Sequence, residues 1–343
     1  MDTNGVNRMA LFLPEIGVVE QLGERKTGVL LLNLGSPDDC EPSAVRAYLQ
    51  EFLSDRRVIE MPPALWRLIL YGFILPFRPK NSGALYRKVW TDKGSPLIVH
   101  TQNLAKDLQN QINTPVYAAM SYGNPSVVSV VQQMKQDGIT HIVALPLFPQ
   151  YASSAAGAAL DALWRAILKT RVQPAVQTIS AFYDFEPYID ALANNIKNTQ
   201  TPNADMLLMS FHGIPLAQHT AGDVYMAQCH KTAQLLADKL NLNEQQYRVV
   251  FQSRFGRAKW IEPSTQDILD ELPKQGIKNI DICCPGFVCD CLETLEEIAI
   301  SGKKIFIDAG GEHYHYIHCL NNSENSVKML AELLKTKVSD CLK

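Results

Sequence analysis

The sequence has no apolar run long enough to cross a membrane. Its longest, over residues 61–77, is interrupted by Arg67 and punctuated by Pro62, Pro63 and Pro76, whereas a spanning helix needs about 20 predominantly apolar residues. Two readings of it stand: a buried helix, or an exposed apolar lip facing a greasy ligand or a membrane surface. The chain also lacks a strong excess of either charge. With 32 basic and 35 acidic residues its formal net charge is -3, which offers no broad phosphate-binding surface and excludes nucleic acid as the expected partner. A basic start followed by an apolar stretch is missing as well, and Glu15, Glu20 and Glu24 are out of place in a transit peptide. Residues 1–26 therefore read as a loosely ordered extension.

The eight cysteines lack the spacing of a secreted disulfide scaffold. Cys283, Cys284, Cys289 and Cys291 crowd one segment, but no pair of C-x-x-C motifs accompanies them, and a lone C-x-C is a weak zinc or iron–sulfur signal. Cys283 and Cys284 end an apolar strand, where cysteine packs as a small hydrophobe. Adjacent residues on a strand point to opposite faces, so four thiolates converging on one cluster are not expected. Reduced thiols in a cytoplasm fit this usage.

What is present is an alternating α/β pattern. The 343 residues are 46% hydrophobic, enough for one large domain or two ordinary ones. Continuous apolar runs over 28–34, 116–121 and 141–147 read as buried strands, and the pattern restarts over 206–211, 247–252 and 279–284. Helical periods separate them, as over 227–240. Strand, helix, strand in alternation predicts parallel sheets covered on both faces. Two passes predict two similar halves, 27–180 (with a lip over 50–95) and 181–335, followed by a tail over 336–343. In such sheets ligands bind beyond the carboxyl ends of the strands. Pro149-Gln150-Tyr151, His212-Gly213 and the stretch from Asp290 all sit at such ends.

His212 closes an apolar strand in Ser210-Phe211-His212-Gly213-Ile214-Pro215. Gly213 permits a sharp turn and Pro215 stops the strand. A histidine there can take a proton or bind a metal, or simply bond to backbone. Asp290, Glu293 and Glu297 are spaced i, i+3 and i+7 at the start of a helix and so share a face. Helix-dipole capping accounts for the first two but not for Glu297. Carboxylates beside a histidine suit a hard or borderline divalent cation. Tyr122, Tyr151, Phe211, Trp260 and Phe287 lie in or beside these motifs and together offer a slot for a flat aromatic ligand. His313, His315 and His318 form a further cluster, read as a surface segment with no acidic partner except Glu312.

At this point the residues resemble the ferrochelatase family. Leu32-Asn33-Leu34-Gly35-Ser36-Pro37 looks like its opening motif and Leu145-Pro146-Leu147-Phe148-Pro149-Gln150-Tyr151 like its mid-chain motif. The segment around His212, the block Phe251-Gln252-Ser253-Arg254-Phe255-Gly256 with Trp260, and the acidic helix from Asp290 follow in order. The resemblance implies a bacterial type with two Rossmann-like halves and a porphyrin cleft between them. It implies His212 as metal-site histidine and proton acceptor, with Glu293 facing it across the macrocycle. Asp290 and Glu297 become an acidic path on a helix with a π-type widening. Tyr122, Tyr151 and Trp260 become porphyrin contacts, and residues 61–77 become the pocket mouth, which touches membrane in some members.

Ferrous iron and protoporphyrin IX are then substrates, and no tightly bound cofactor is implied. Members that hold an iron–sulfur cluster use one mid-chain cysteine and three in a C-terminal extension. Here the mid-chain stretch reads Ala152-Ser153-Ser154, and only Cys341 follows Cys319, so no cluster is expected. The expected state is a monomer or weak homodimer in the cytoplasm, with peripheral contact at the inner face of the membrane through the lip. The nearest rival is a chelatase of the same fold for a more polar tetrapyrrole, whose pocket would be richer in basic residues, and a rival of another class is a non-catalytic haem carrier, which needs no acidic stripe. A metallohydrolase built on His212 and the acids is a third.

Overall fold

The computed structural model describes residues 25–256 and 258–338. Most of the extension over 1–26, and the tail from 339, lie outside them. The first half builds a parallel sheet from β1 (Thr27–Asn33), β2 (Val116–Met120), β3 (His141–Pro146) and β4 (Ala175–Thr178), in the order β2-β1-β3-β4. The second half repeats that order with β5 (Met206–His212), β6 (Tyr247–Gln252), β7 (Asn279–Cys283) and β8 (His313–Ile317), as β6-β5-β7-β8. The central strands are fully buried because helices cover both faces, which is why their sequences are continuous rather than alternating.

Two strands escaped the sequence reading. β4 is a four-residue edge strand, half-exposed and without an apolar run. β8 is the histidine segment itself, in which Tyr314 and Tyr316 alternate inward into the core of the second half. The segment is therefore not a surface loop, a correction that matters for the site.

The two halves share one core. Leu31, Leu145, Leu207, Met209 and Cys283 belong to a single buried cluster, and the C-terminal helix Glu324–Val338 packs back against Pro96–Gln111 of the first half. Cys283 lies in that shared cluster while Cys284 lies in the core on the other side of the second sheet, as strand geometry requires.

The lip is a chain of helical pieces, Pro63–Ile69, a π-turn Leu70–Ile74 and Leu75–Val89. Leu70, Leu75 and Tyr86 anchor it in a cluster with Val45, Leu49 and Tyr122. Leu68, Phe73 and Phe77 are about 70% exposed (71%, 70% and 69%). Of the two sequence readings, the exposed apolar lip is the one the structure adopts.

Candidate active site

His212 is the last residue of β5, at the end of the central strand whose neighbours β6 and β7 lie on opposite sides. That is the topological switch point at which α/β sheets open a crevice. Its Nδ1 lies 2.6 Å from the Gly213 carbonyl. A carbonyl can only accept, so Nδ1 carries the hydrogen and Nε2 keeps its lone pair for a proton or a metal. Gly213 is needed for space more than for an unusual turn. A Cβ there would come 2.8 Å from the Gln252 carbonyl oxygen and 3.2 Å from the Trp260 ring. Trp260 thus packs against Gly213, next in sequence to the histidine, and its Nε1 donates to the Phe255 carbonyl at 3.1 Å.

After β7 the chain passes through residues 284–292 and enters a ten-residue π-helix, Glu293–Gly302. The resemblance implied this widening, which local periodicity does not encode. Its wide turns are closed by i→i+5 bonds and are found chiefly at functional sites. Side chains from neighbouring strands hold it. Gln252 Nε2 donates to the Glu293 carbonyl at 2.8 Å, and Tyr314 Oη donates to the Ile298 carbonyl at 2.7 Å. Gln252 also sits beside His212 in the β5–β6 register. One buried glutamine therefore ties the histidine strand to the backbone of the acidic residue.

Glu297 lies within this group. Ser253 donates to it through its N–H at 2.7 Å and its hydroxyl at 2.5 Å, and Gln266 Nε2 donates at 2.6 Å. Ser253 holds this double contact at φ 67°, a left-handed conformation costly for a residue with a Cβ. Burial pushes the Glu297 carboxyl above its ordinary range, against the pull of the Ser253 bonds and of His212, while the charge of Glu293 adds to the rise. Glu297 thus lies close enough to His212 and to Glu293 to feel both charges. The three do not converge as a ready-made metal cage: among the described residues no three His, Cys, Asp or Glu side chains do.

Asp290 departs from the shared face expected of it. It precedes the π-helix and is 1% exposed. Its carboxylate accepts from Tyr316 Oη at 2.5 Å, Asn321 Nδ2 at 2.8 Å, Thr294 Oγ1 at 2.9 Å and His318 Nδ1 at 2.9 Å. The physical reason is β8, which brings Tyr316 and His318 against the helix start. The acidic partner thought missing for the histidine cluster is Asp290. Burial alone would raise its pKa, but the donors from His318, Tyr316 and Asn321 outweigh that and hold it well below the usual carboxylate range. The same bond raises His318 above its ordinary value.

The sign of the pH effect follows. Asp290 contributes stability above the ordinary carboxylate pKa, near ~4, and loses it as pH falls through the lowered folded value. His318 contributes below its ordinary value, near ~6.5, and loses it as pH rises through the raised one. Asp290→Asn is therefore expected to lower unfolding stability by about 2–3 kcal/mol at pH 6, and by less at pH 9. Urea midpoints at the two pH values check this, and an unchanged midpoint at pH 6 would contradict it.

The aromatic residues divide. Tyr151 is half-buried, and its N–H donates to Gln228 Oε1 at 2.7 Å. Beside it Arg57 forks onto Asp161 and donates to Ser153 Oγ at 3.0 Å. Tyr122 is only 3% exposed and donates to Asp55 Oδ2 at 3.1 Å, with its ring edge against Phe52. It supports the lip from beneath and leaves no ring face open. Phe211 is fully buried core. Gln252, Ser253 and Gln266 were not singled out as site residues, because amides and hydroxyls that position carboxylates carry no spacing signal of their own.

A family model for ferrochelatase matches residues 26–338, nearly the whole of the described chain. The chain belongs to the ferrochelatase family. Curated ferrochelatases from Neisseria gonorrhoeae (47% identical, covering 95% of this chain and 97% of the relative) and Pseudoalteromonas atlantica (46%, covering 90% and 88%) agree. So does one named ferrochelatase 1 from Shewanella oneidensis, at 46% identity over 90% of this chain and 95% of its own. Among solved structures, SirB from Bacillus subtilis with Fe3+ superposes with a TM-score of 0.56 at 12% identity, covering 92% of this chain and 97% of SirB. At that identity the likeness shows the two-sheet chelatase fold alone. As a ferrochelatase the chain is a lyase of haem biosynthesis that inserts ferrous iron into a porphyrin and releases two protons.

Proposed function

We propose that the porphyrin is protoporphyrin IX, bound in the crevice at the β5–β7 switch point, with His212 on one face and Glu293 on the other. The observation that carries this is the Nδ1–H bond of His212 to its own neighbour's carbonyl, which leaves Nε2 as an open base. Insertion requires two pyrrole N–H protons to leave and a hydrated ion to shed its water. Nε2 takes up the two protons one at a time, handing the first to solvent water before it accepts the second, and the carboxylates of Glu293 and Glu297 replace water around the iron. The raised pKa of Glu297 suits a group that exchanges protons as the ion passes. A pocket that bends the ring would expose its nitrogens. Trp260 and Tyr151 are the proposed walls. Tyr122 supports the lip from beneath, and Asp290 anchors the helix that carries the path.

The lip supports membrane contact. Residues 61–91 contain Arg67, Arg78, Lys80, Arg87 and Lys88 and no acid, and Leu65, Leu68, Tyr71, Phe73 and Phe77 are exposed. Apolar anchors with a basic rim suit an anionic bilayer surface, and no helix among the described residues is long and apolar enough to cross one. The chain acts as a monomer or weak homodimer on the cytoplasmic side. An apolar mouth also favours protoporphyrin over a ring with more carboxylates. An anaerobic assay with ferrous iron should turn over protoporphyrin faster than coproporphyrin, and the reverse order would contradict the choice of substrate.

No iron–sulfur cluster is proposed. Ser153 is engaged by Arg57 and donates its N–H to Asp223. The seven cysteines among the described residues are buried and unpaired. Burial pushes the thiols of Cys283 and Cys289 up to about 12, against the thiolate form that a cluster needs. Anaerobically purified protein is expected to carry no stoichiometric acid-labile sulfide. Sulfide present in the wild type and lost on Cys289→Ser would overturn this.

A further inference from the structure

The lip and the π-helix belong to different halves, yet they are joined by a charged contact that no part of the mechanism above uses. Lys88 lies in the last turn of the lip helix Leu75–Val89. Its Nζ is 2.8 Å from Glu296 Oε1 on the π-helix. The two side chains are unequally placed, with 47% of Lys88 exposed and 8% of Glu296. The glutamate is buried, and Ser301 Oγ donates to the same carboxylate oxygen at 3.0 Å.

Other contacts run the same way. Leu292, just before Glu293, packs into the lip cluster beneath Leu70, Leu75 and Tyr86. Tyr86, two residues from Lys88, is buried close enough to Glu293 to feel its charge. At the outer end of the lip, the Arg78 guanidinium lies 5.5 Å from the Phe255 ring centre, and Gln218 reaches Glu60 at 3.3 Å. The lip is thus tied to Phe255 and Gln218 of the second half as well as to the π-helix.

A buried carboxylate with one cationic partner is a costly way to gain stability. It is a good way to fix register, because the carboxylate has a single favourable position. A π-helix has weak local preference for its own geometry, so contacts from outside decide where its side chains point. We infer that Lys88 is a positioning residue for Glu293: through its ion pair with Glu296 it locks the π-helix to the lip, so that the wall of the porphyrin pocket and the carboxylate at the metal route keep one fixed spacing.

The inference rests on Glu293 being the metal-facing acid. It predicts an effect on metal handling without an effect on ring binding. Glu296→Gln removes the charge, keeps the shape and the Ser301 bond, and leaves no unpaired buried ion. Lys88→Met tests the other partner, and Lys88→Arg keeps the charge. Misplacing a reacting group by an ångström from a distance costs up to about a hundredfold. The expected result is a turnover reduced about tenfold in Glu296→Gln and in Lys88→Met. Protoporphyrin affinity, read by quenching of porphyrin fluorescence, should stay within about twofold, and the KM for ferrous iron should rise. Lys88→Arg should restore most of the turnover. The double variant Lys88→Met/Glu296→Gln should be no worse than either single one, since both act through one contact.

Wild-type turnover in Glu296→Gln would overturn the inference, as would porphyrin affinity lost in step with turnover, or losses that add in the double variant. Glu293→Gln run alongside separates the failures. If Glu293→Gln is inactive and Glu296→Gln is normal, only the positioning role falls. If Glu293→Gln itself keeps its turnover, the assignment of Glu293 falls first.

Discussion

His212→Ala is expected to reduce iron insertion by at least about a hundredfold, the low end of what a positioned general base contributes. The argument is geometric. His212 ends a strand with both neighbours paired, and its Nδ1 is spent on the Gly213 carbonyl. Among the described residues no other histidine lies at the ends of β5, β6 or β7, and His318 beyond β8 is committed to Asp290. The half-exposed ring contributes little to the core, so thermal unfolding should move by only a few degrees. Anaerobic turnover and a melting curve on the same preparation check both parts. Near-normal turnover in the alanine variant would remove His212 from the mechanism.

Glu293→Gln is expected to cost a similar factor, for a different reason. The amide keeps the volume and the backbone bond from Gln252, which reaches the Glu293 carbonyl and not its side chain. Only the charge goes. An ion passing from water to the ring nitrogens then loses a ligand at the point of transfer, in a setting where burial has made each charge count for more. Porphyrin binding should persist, because the proposed walls are apolar and aromatic. Fluorescence quenching by protoporphyrin separates the two effects. If ring binding disappeared together with turnover, Glu293 would be shaping the pocket and not handling metal.

The sequence carried much of this, and it is clear where it stopped. The buried parallel strands were legible because double-sided burial writes itself as continuous apolar runs, as in Val29-Leu30-Leu31-Leu32 and Leu207-Leu208-Met209. β4 and β8 were not, since an edge strand needs no such run and β8 alternates histidine with tyrosine. His212 was legible as a strand-end histidine. The acidic group was legible only in part. Spacing on a regular helix put Asp290, Glu293 and Glu297 on one face, but the helix begins at Glu293 and is wide. Asp290 stands outside it, caged by β8 and Asn321. Tyr122 was read as a porphyrin contact because it lies beside the site motifs, and its burial is set by the helix Pro42–Leu53 and the lip packed with it. The residues that position the site, Gln252, Ser253 and Gln266, have no periodicity and become visible only when the strands are assembled.

The central claim is that the porphyrin lies between His212 and Glu293. A crystal structure of the chain with protoporphyrin bound tests it most directly. The account predicts the ring in the crevice beyond β5 and β7, His212 Nε2 over one face and the Glu293 carboxylate over the other, with Trp260 along its edge. A ring bound with both residues on the same face, or outside that crevice, would contradict it.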